Sequence, residues 1–173
     1  MLENQPTSSP RHHSIGLPQS APLRIVVQRV SRASVDVDGV DVGSIRAGFL
    51  LLVGIEPSDT EEDVSRAVEK VVNLRVFPDD AGQMNRSLLE TGGSALVVSQ
   101  FTLLGDVRRG RRPSFVRAAP PEHAEPLVDR FVDVLRTTGI HVETGVFGAS
   151  MDVELVNSGP VTMVLEIREG RVR

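Results

Sequence analysis

The sequence predicts an α/β fold, a sheet-rich single domain with two main helices on one side of the sheet. Three observations point there. Apolar and β-branched runs are grouped early, over 24–53, and late, over 151–167, with one more at 94–101. Two stretches of helical period fall between them. At 173 residues the chain has the usual size of one domain and shows no internal repeat.

Taken in order, residues 1–22 are rich in Pro, Ser, Gln and Asn without an apolar period, which predicts a disordered tail; His12 and His13 in it read as solvated. The domain is expected over 23–167. Arg24–Val30 is β-branched and apolar, and Ser34–Asp38 alternates with period two up to Gly39, where a hairpin is expected before Val40–Ile45. Phe49–Val53 is the continuous run of a strand buried on both faces. Ser58 or Asp59, followed three residues later by Glu61 or Glu62, suggests a capping box. Val64, Ala67, Val68, Val71 and Leu74 then place a helix over about 60–74. Pro78–Gly82 marks a turn, and Ser94–Phe101 reads as a second buried strand. A second helix opens near Pro120–Pro121, carries Ala124, Leu127, Val128, Phe131 and Leu135 as its apolar stripe, and closes at Gly139. Two strands, Met151–Asn157 and Val161–Ile167, flank a turn at Ser158–Gly159–Pro160, and 168–173 is a short extension.

Composition removes whole classes of function. Without cysteine there is no disulfide, thiolate metal site or cysteine nucleophile. This fits a reducing cytoplasm, and residues 1–22 lack the basic start and apolar run of a secretory signal. The longest apolar stretch, Gly48 to Ile55, is far short of the roughly 20 residues that span a bilayer, so no membrane association is expected. A net charge of −4 argues against coating nucleic acid through an overall field, and no DNA partner is expected; any RNA contact must be local.

The usual catalytic signatures fail. His123 and His141 have no HExxH spacing or acidic partner, so no metal site is expected. Ser94 lacks the second glycine of a G-x-S-x-G elbow, and no GxGxxG or GxxxxGK[ST] occurs, so no cofactor is implied. What remains is Ser99–Gln100–Phe101–Thr102, polar groups crowding the end of an apolar strand, where sites collect. Asp106–Pro113 follows, with Arg108, Arg109, Arg111 and Arg112 around Gly110. Guanidinium forks there could pair with RNA phosphates, or simply be solvated. Gly159–Pro160 is either an ordinary turn or, if its peptide bond is cis, a fixed backbone corner.

Six collinear blocks carry a resemblance across Leu23 to Leu165. They are Gln28–Val30 with Arg32–Val35, Met84–Ser87, Ser99–Leu103, Gly110–Phe115, Phe147–Ala149 with Met151, and Asn157–Thr162. Together these are similar to the D-aminoacyl-tRNA deacylases of the bacterial and eukaryotic type. The resemblance implies that family's fold and a homodimer with active sites at the subunit interface. It also implies hydrolysis of the ester joining a D-amino acid, or glycine, to the terminal adenosine of tRNA. By the same resemblance Ser99, Gln100, Phe101 and Thr102 line the aminoacyl pocket, and Phe147 and Met151 lie near the terminal adenine. Gly159 and Pro160 enter the partner's pocket, where their carbonyls leave no room for an L side chain. Thr102 is the family's proposed nucleophile; the competing route has the ribose 2′-hydroxyl activate water while the backbone amide of Phe101 stabilises charge. A non-catalytic tRNA-binding module built on the arginine loop is the alternative from another class, and a general small-ester hydrolase a third.

Overall fold

The computed structural model describes residues 22–172, so the expected tail, apart from Pro22, and its two histidines lie outside the described residues. The chain opens with a long strand, β1 (Leu23–Val37), followed by β2 (Val40–Ile45) and β3 (Gly48–Gly54). Helix α1 (Glu61–Asn73), the small hairpin β4 (Phe77–Pro78) and β5 (Met84–Arg86), and a four-residue helix α2 (Leu88–Thr91) lead to β6 (Ser94–Ser99). A 3-10 turn (Phe101–Leu104), helix α3 (Pro121–Thr137), β7 (Val142–Thr144), β8 (Asp152–Arg168) and β9 (Arg171–Val172) complete it.

The main sheet runs β7-β6-β3-β1-β8-β9, with β2 on the far half of β1. The β3–β6 and β6–β7 pairings are parallel, so each needs a crossover, and the two long helices supply them. Both helices pack on one face, where Phe49, Phe131, Leu51 and Leu135 are fully buried; full burial of such a side chain contributes about 1.5–3 kcal/mol. A second apolar cluster, with Val30, Ala33, Val35, Leu50, Leu96 and Val98, fills the opposite face, because the sheet curls and brings β2 over β6 and β7. Strand β1 feeds both. Leu23, Ile25 and Val27 face the helices, whereas Ala33 and Val35, of the same parity, face the other cluster. The register against β8 slips between Val30 and Arg32, and one extra residue turns every following side chain over. Gly48 is demanded by close approach: its φ is +158°, and a Cβ there would stand 1.8 Å from the Ser94 carbonyl oxygen.

Several expectations are corrected. The cap of α1 is Thr60, whose hydroxyl accepts from the Asp63 N–H while the Asp63 carboxylate accepts from the Thr60 N–H. Ser58 and Asp59 are engaged elsewhere. The buried Asp59 carboxylate accepts from the backbone of Leu23 at 3.1 Å and Glu56 at 2.7 Å, and burial pushes its pKa up to about 7. Beside the two main helices the described residues hold a third, four-residue one, because Ser87 and Glu90 form a capping box that starts α2. The apolar run from Ser94 ends as a strand at Ser99, and Phe101 and Thr102 belong to the 3-10 turn. Gly159–Pro160 does not separate two strands. Strand β8 runs through it, with four residues between the partners of Gln28 and Val30 where β1 has one. Arg171–Val172 folds back on the end of β8. Among the described residues no helix is long and apolar enough to cross a membrane.

Candidate active site

Where β6 ends, the chain is turned by a small set of backbone bonds. The Gln100 N–H donates to the Val53 carbonyl at 2.7 Å and the Leu103 N–H to the Gln100 carbonyl at 3.2 Å, which closes the 3-10 turn against β3. Arg24 fastens the turn from outside, donating to the Leu103 carbonyl at 2.6 Å while Glu166 holds its Nε at 2.9 Å. Beside the turn lies a cavity of about 510 Å³. Ser99, Gln100 and Phe101 line one side, and Phe147 and Met151, from the loop between β7 and β8, line another. Five of the residues singled out in the sequence therefore share one cavity. Its remaining wall, including Ile55, Phe115, Ala119 and Ala124, is apolar.

Phe101 and Phe115 meet edge to face with centroids 5.0 Å apart, a geometry that aromatic pairs favour, and Phe101 stays 54% exposed at the mouth. Thr102 is exposed and is not part of the cavity lining. Its hydroxyl oxygen accepts from the Gln100 side-chain amide, which cannot take a proton from it. The two histidines among the described residues are engaged elsewhere: His123 Nε2 lies 3.1 Å from the Asp59 carbonyl and His141 Nε2 2.9 Å from Glu143. Among the described residues no three His, Cys, Asp or Glu side chains gather as they would around a metal ion.

The arginine loop is a hairpin pinned by two backbone bonds between Asp106 and Ser114, at 2.7 and 2.9 Å. Arg108 is folded back on Asp106, with Nε 2.9 Å from the carboxylate, and this contact holds the Asp106 carboxyl well below the usual range. Arg109, Arg111 and Arg112 are exposed.

The Gly159–Pro160 peptide bond is cis, and both residues are exposed and absent from the cavity's lining. The corner is held by two side chains. Arg29 donates from Nε to the Ser158 carbonyl at 2.9 Å and from its guanidinium to the Val76 carbonyl. Asn157 accepts from the Val161 N–H at 2.7 Å and donates to Thr162 Oγ1 at 2.9 Å. Gly159 has φ +133°, and a Cβ would lie 2.6 Å from Arg29 Nη2 and 2.9 Å from Val161 Cγ2.

A family model described as D-Tyr-tRNA(Tyr) deacylase matches residues 26–166, an interval that contains the cavity, the arginine loop and the corner. The chain belongs to this deacylase family. It is an enzyme of that class, a hydrolase acting on aminoacyl-tRNA. D-aminoacyl-tRNA deacylase of Thermomicrobium roseum is 60% identical over 149 residues, covering 86% of this chain and 97% of its own. That of Thermus aquaticus is 56% identical over 147 residues, covering 85% and 97%. A solved structure named c-Myc DNA Unwinding Element Binding Protein superposes with a TM-score of 0.78 at 41% identity, over 83% of this chain and 97% of that one.

Within the deacylase frame, Arg29 and Asn157 have structural roles that the sequence does not signal, although both stand in the quoted blocks. An arginine at the middle of an apolar strand carries no local signal; only the register break opposite it gives it carbonyls to bind. Phe115, Ile55 and Ala119 were likewise silent, since apolar residues that line a cavity look like core residues in sequence.

Proposed function

We propose that the protein hydrolyses the ester of D-aminoacyl-tRNA and of glycyl-tRNA, releasing the free amino acid and tRNA, in the cytoplasm and as a homodimer. The observation that carries this reading is the cavity: apolar walls of a size for an aminoacyl-adenosine, beside a turn whose polar groups are mostly backbone. Water attacks the ester carbonyl, the bond to the ribose 3′-oxygen breaks, and that oxygen takes a proton. The 2′-hydroxyl of the same ribose is the group that activates the water, because nothing bonded to Thr102 can serve as its base. The Phe101 N–H begins the 3-10 turn and has no carbonyl of the turn to bond, which suits it to the developing oxyanion.

Handedness is selected by exclusion. Gly159 and Pro160 of one subunit enter the cavity of the other and present backbone to the Cα of the aminoacyl group, so an L side chain has no room while glycine passes. In support, the corner is exposed, is absent from its own cavity, and is fixed by Arg29 and Asn157. Arg109, Arg111 and Arg112 take the tRNA backbone, with Arg108 held by Asp106.

The test is a time course with D-tyrosyl-, L-tyrosyl- and glycyl-tRNA. The D-tyrosyl and glycyl esters are expected to disappear while the L-tyrosyl ester persists. Binding of all three without cleavage would instead mark an RNA-binding module, and equal cleavage of the two enantiomers would remove the exclusion step.

A further inference from the structure

A second cavity, of about 310 Å³, lies between α3 and the β6–β7 end of the sheet. Ser99 and Phe147 line it as well as the first, so the two are neighbours across a shared wall. Its character is different. The α3 side presents Asp129, Asp133 and Arg136, and the strand side Thr144, where the first cavity is apolar. Asp133 and Arg136 pair loosely at 3.7 Å, whereas Asp129, one turn before Asp133 on the same face, has no ionic or hydrogen-bonding partner among the described residues. Solvation alone would account for an exposed carboxylate, but not for its standing in a hollow that adjoins the site proposed for the end of a tRNA.

We propose that this annex receives the nucleotide before the terminal adenosine, a cytidine in every tRNA; the inference rests on the deacylase reading above. With the adenosine against Phe147 and Met151, the chain one nucleotide upstream must leave beside Phe147. Cytosine offers an exocyclic N4 amino group, a donor that the Asp129 carboxylate can accept from. The volume holds a pyrimidine nucleotide without room for a second base. Arg136 is then the group that meets the connecting phosphate, and the annex positions the ester carbonyl at the Phe101 turn by fixing the strand that bears it.

Long-range electrostatics makes the opposite forecast, which makes the test decisive. Neutralising an exposed acid should tighten binding of a polyanion. The annex requires that Asp129→Asn weaken it: kcat/KM on D-tyrosyl-tRNA is expected to fall about tenfold through KM, the worth of one specific base contact. With D-tyrosyl-adenosine, which has nothing to place there, the ratio of wild type to variant is expected to collapse toward one. A tRNA carrying uridine at the penultimate position lacks the amino group; the wild-type protein should lose a similar factor on it, and Asp129→Asn should lose no further. Unchanged or improved cleavage of D-tyrosyl-tRNA by the variant, or an equal loss on the short substrate, would overturn the annex. Failure of the wild-type protein on both substrates would overturn the deacylase reading instead.

Discussion

Thr102 has the hydroxyl that a covalent mechanism would use, yet its oxygen is occupied by a donor and no imidazole or carboxylate is bonded to it. Loss of a true nucleophile costs on the order of 10⁶ in kcat. For Thr102→Ala the expected loss is about fivefold, the worth of one hydrogen bond, whereas D-tyrosyl-tRNA ending in 2′-deoxyadenosine should not be cleaved at all. Single-turnover rates with the two changes made separately decide the matter. At this scale part of the candidate cavity's lining is legible in the sequence. Ser99, Gln100 and Phe101 stood out because polar groups at the end of an apolar run need a reason to be there, and Phe147 and Met151 came with the family resemblance. The apolar wall and the clamp of Arg29 could not be read, since each is defined by what lies opposite it in space.

Among the elements, β8 is where local signals and tertiary pairing diverged most. Ser158–Gly159–Pro160 has the composition of a turn, but β1 pairs with the chain on both sides of it, and the extra residues bulge out of a continuous strand. The same competition moved the cap of α1. Asp59 was a good capping residue by type, and the buried backbone of Leu23 and Glu56 claimed its carboxylate first. By contrast α3 and the β3 and β6 runs followed their apolar periods closely, because nothing else competes for those residues. In the bulge, Gly159→Ala puts a methyl 2.9 Å from Val161 and an L residue at φ +133°. The variant is expected to lose at least about tenfold in kcat/KM on D-tyrosyl-tRNA, the factor for a misplaced contact of about 1.4 kcal/mol. Its far-ultraviolet circular dichroism should match wild type, because the strain is confined to an exposed loop of the strand.

At the scale of the molecule, a net charge of −4 is combined with an exposed basic loop, so on the proposed reading contact with RNA is local to that loop. If each active centre is completed by a second chain, two inactive proteins should repair one another. Gly159→Ala supplies an intact cavity, and a variant such as Phe147→Ala supplies an intact corner. Unfolded and refolded together, they are expected to regain about a quarter of the wild-type rate, since half the symmetric pairs are mixed and each mixed pair has one sound centre. No recovery on mixing would mean that each chain works with its own corner.

The bulge also has an evolutionary reading. Because the surplus residues of β8 project from a ladder that resumes on either side, the pairing with β1 does not run through them. If the corner selects handedness as proposed, fidelity and folding are written in separate stretches of the chain, and discrimination between mirror images can change without a new scaffold.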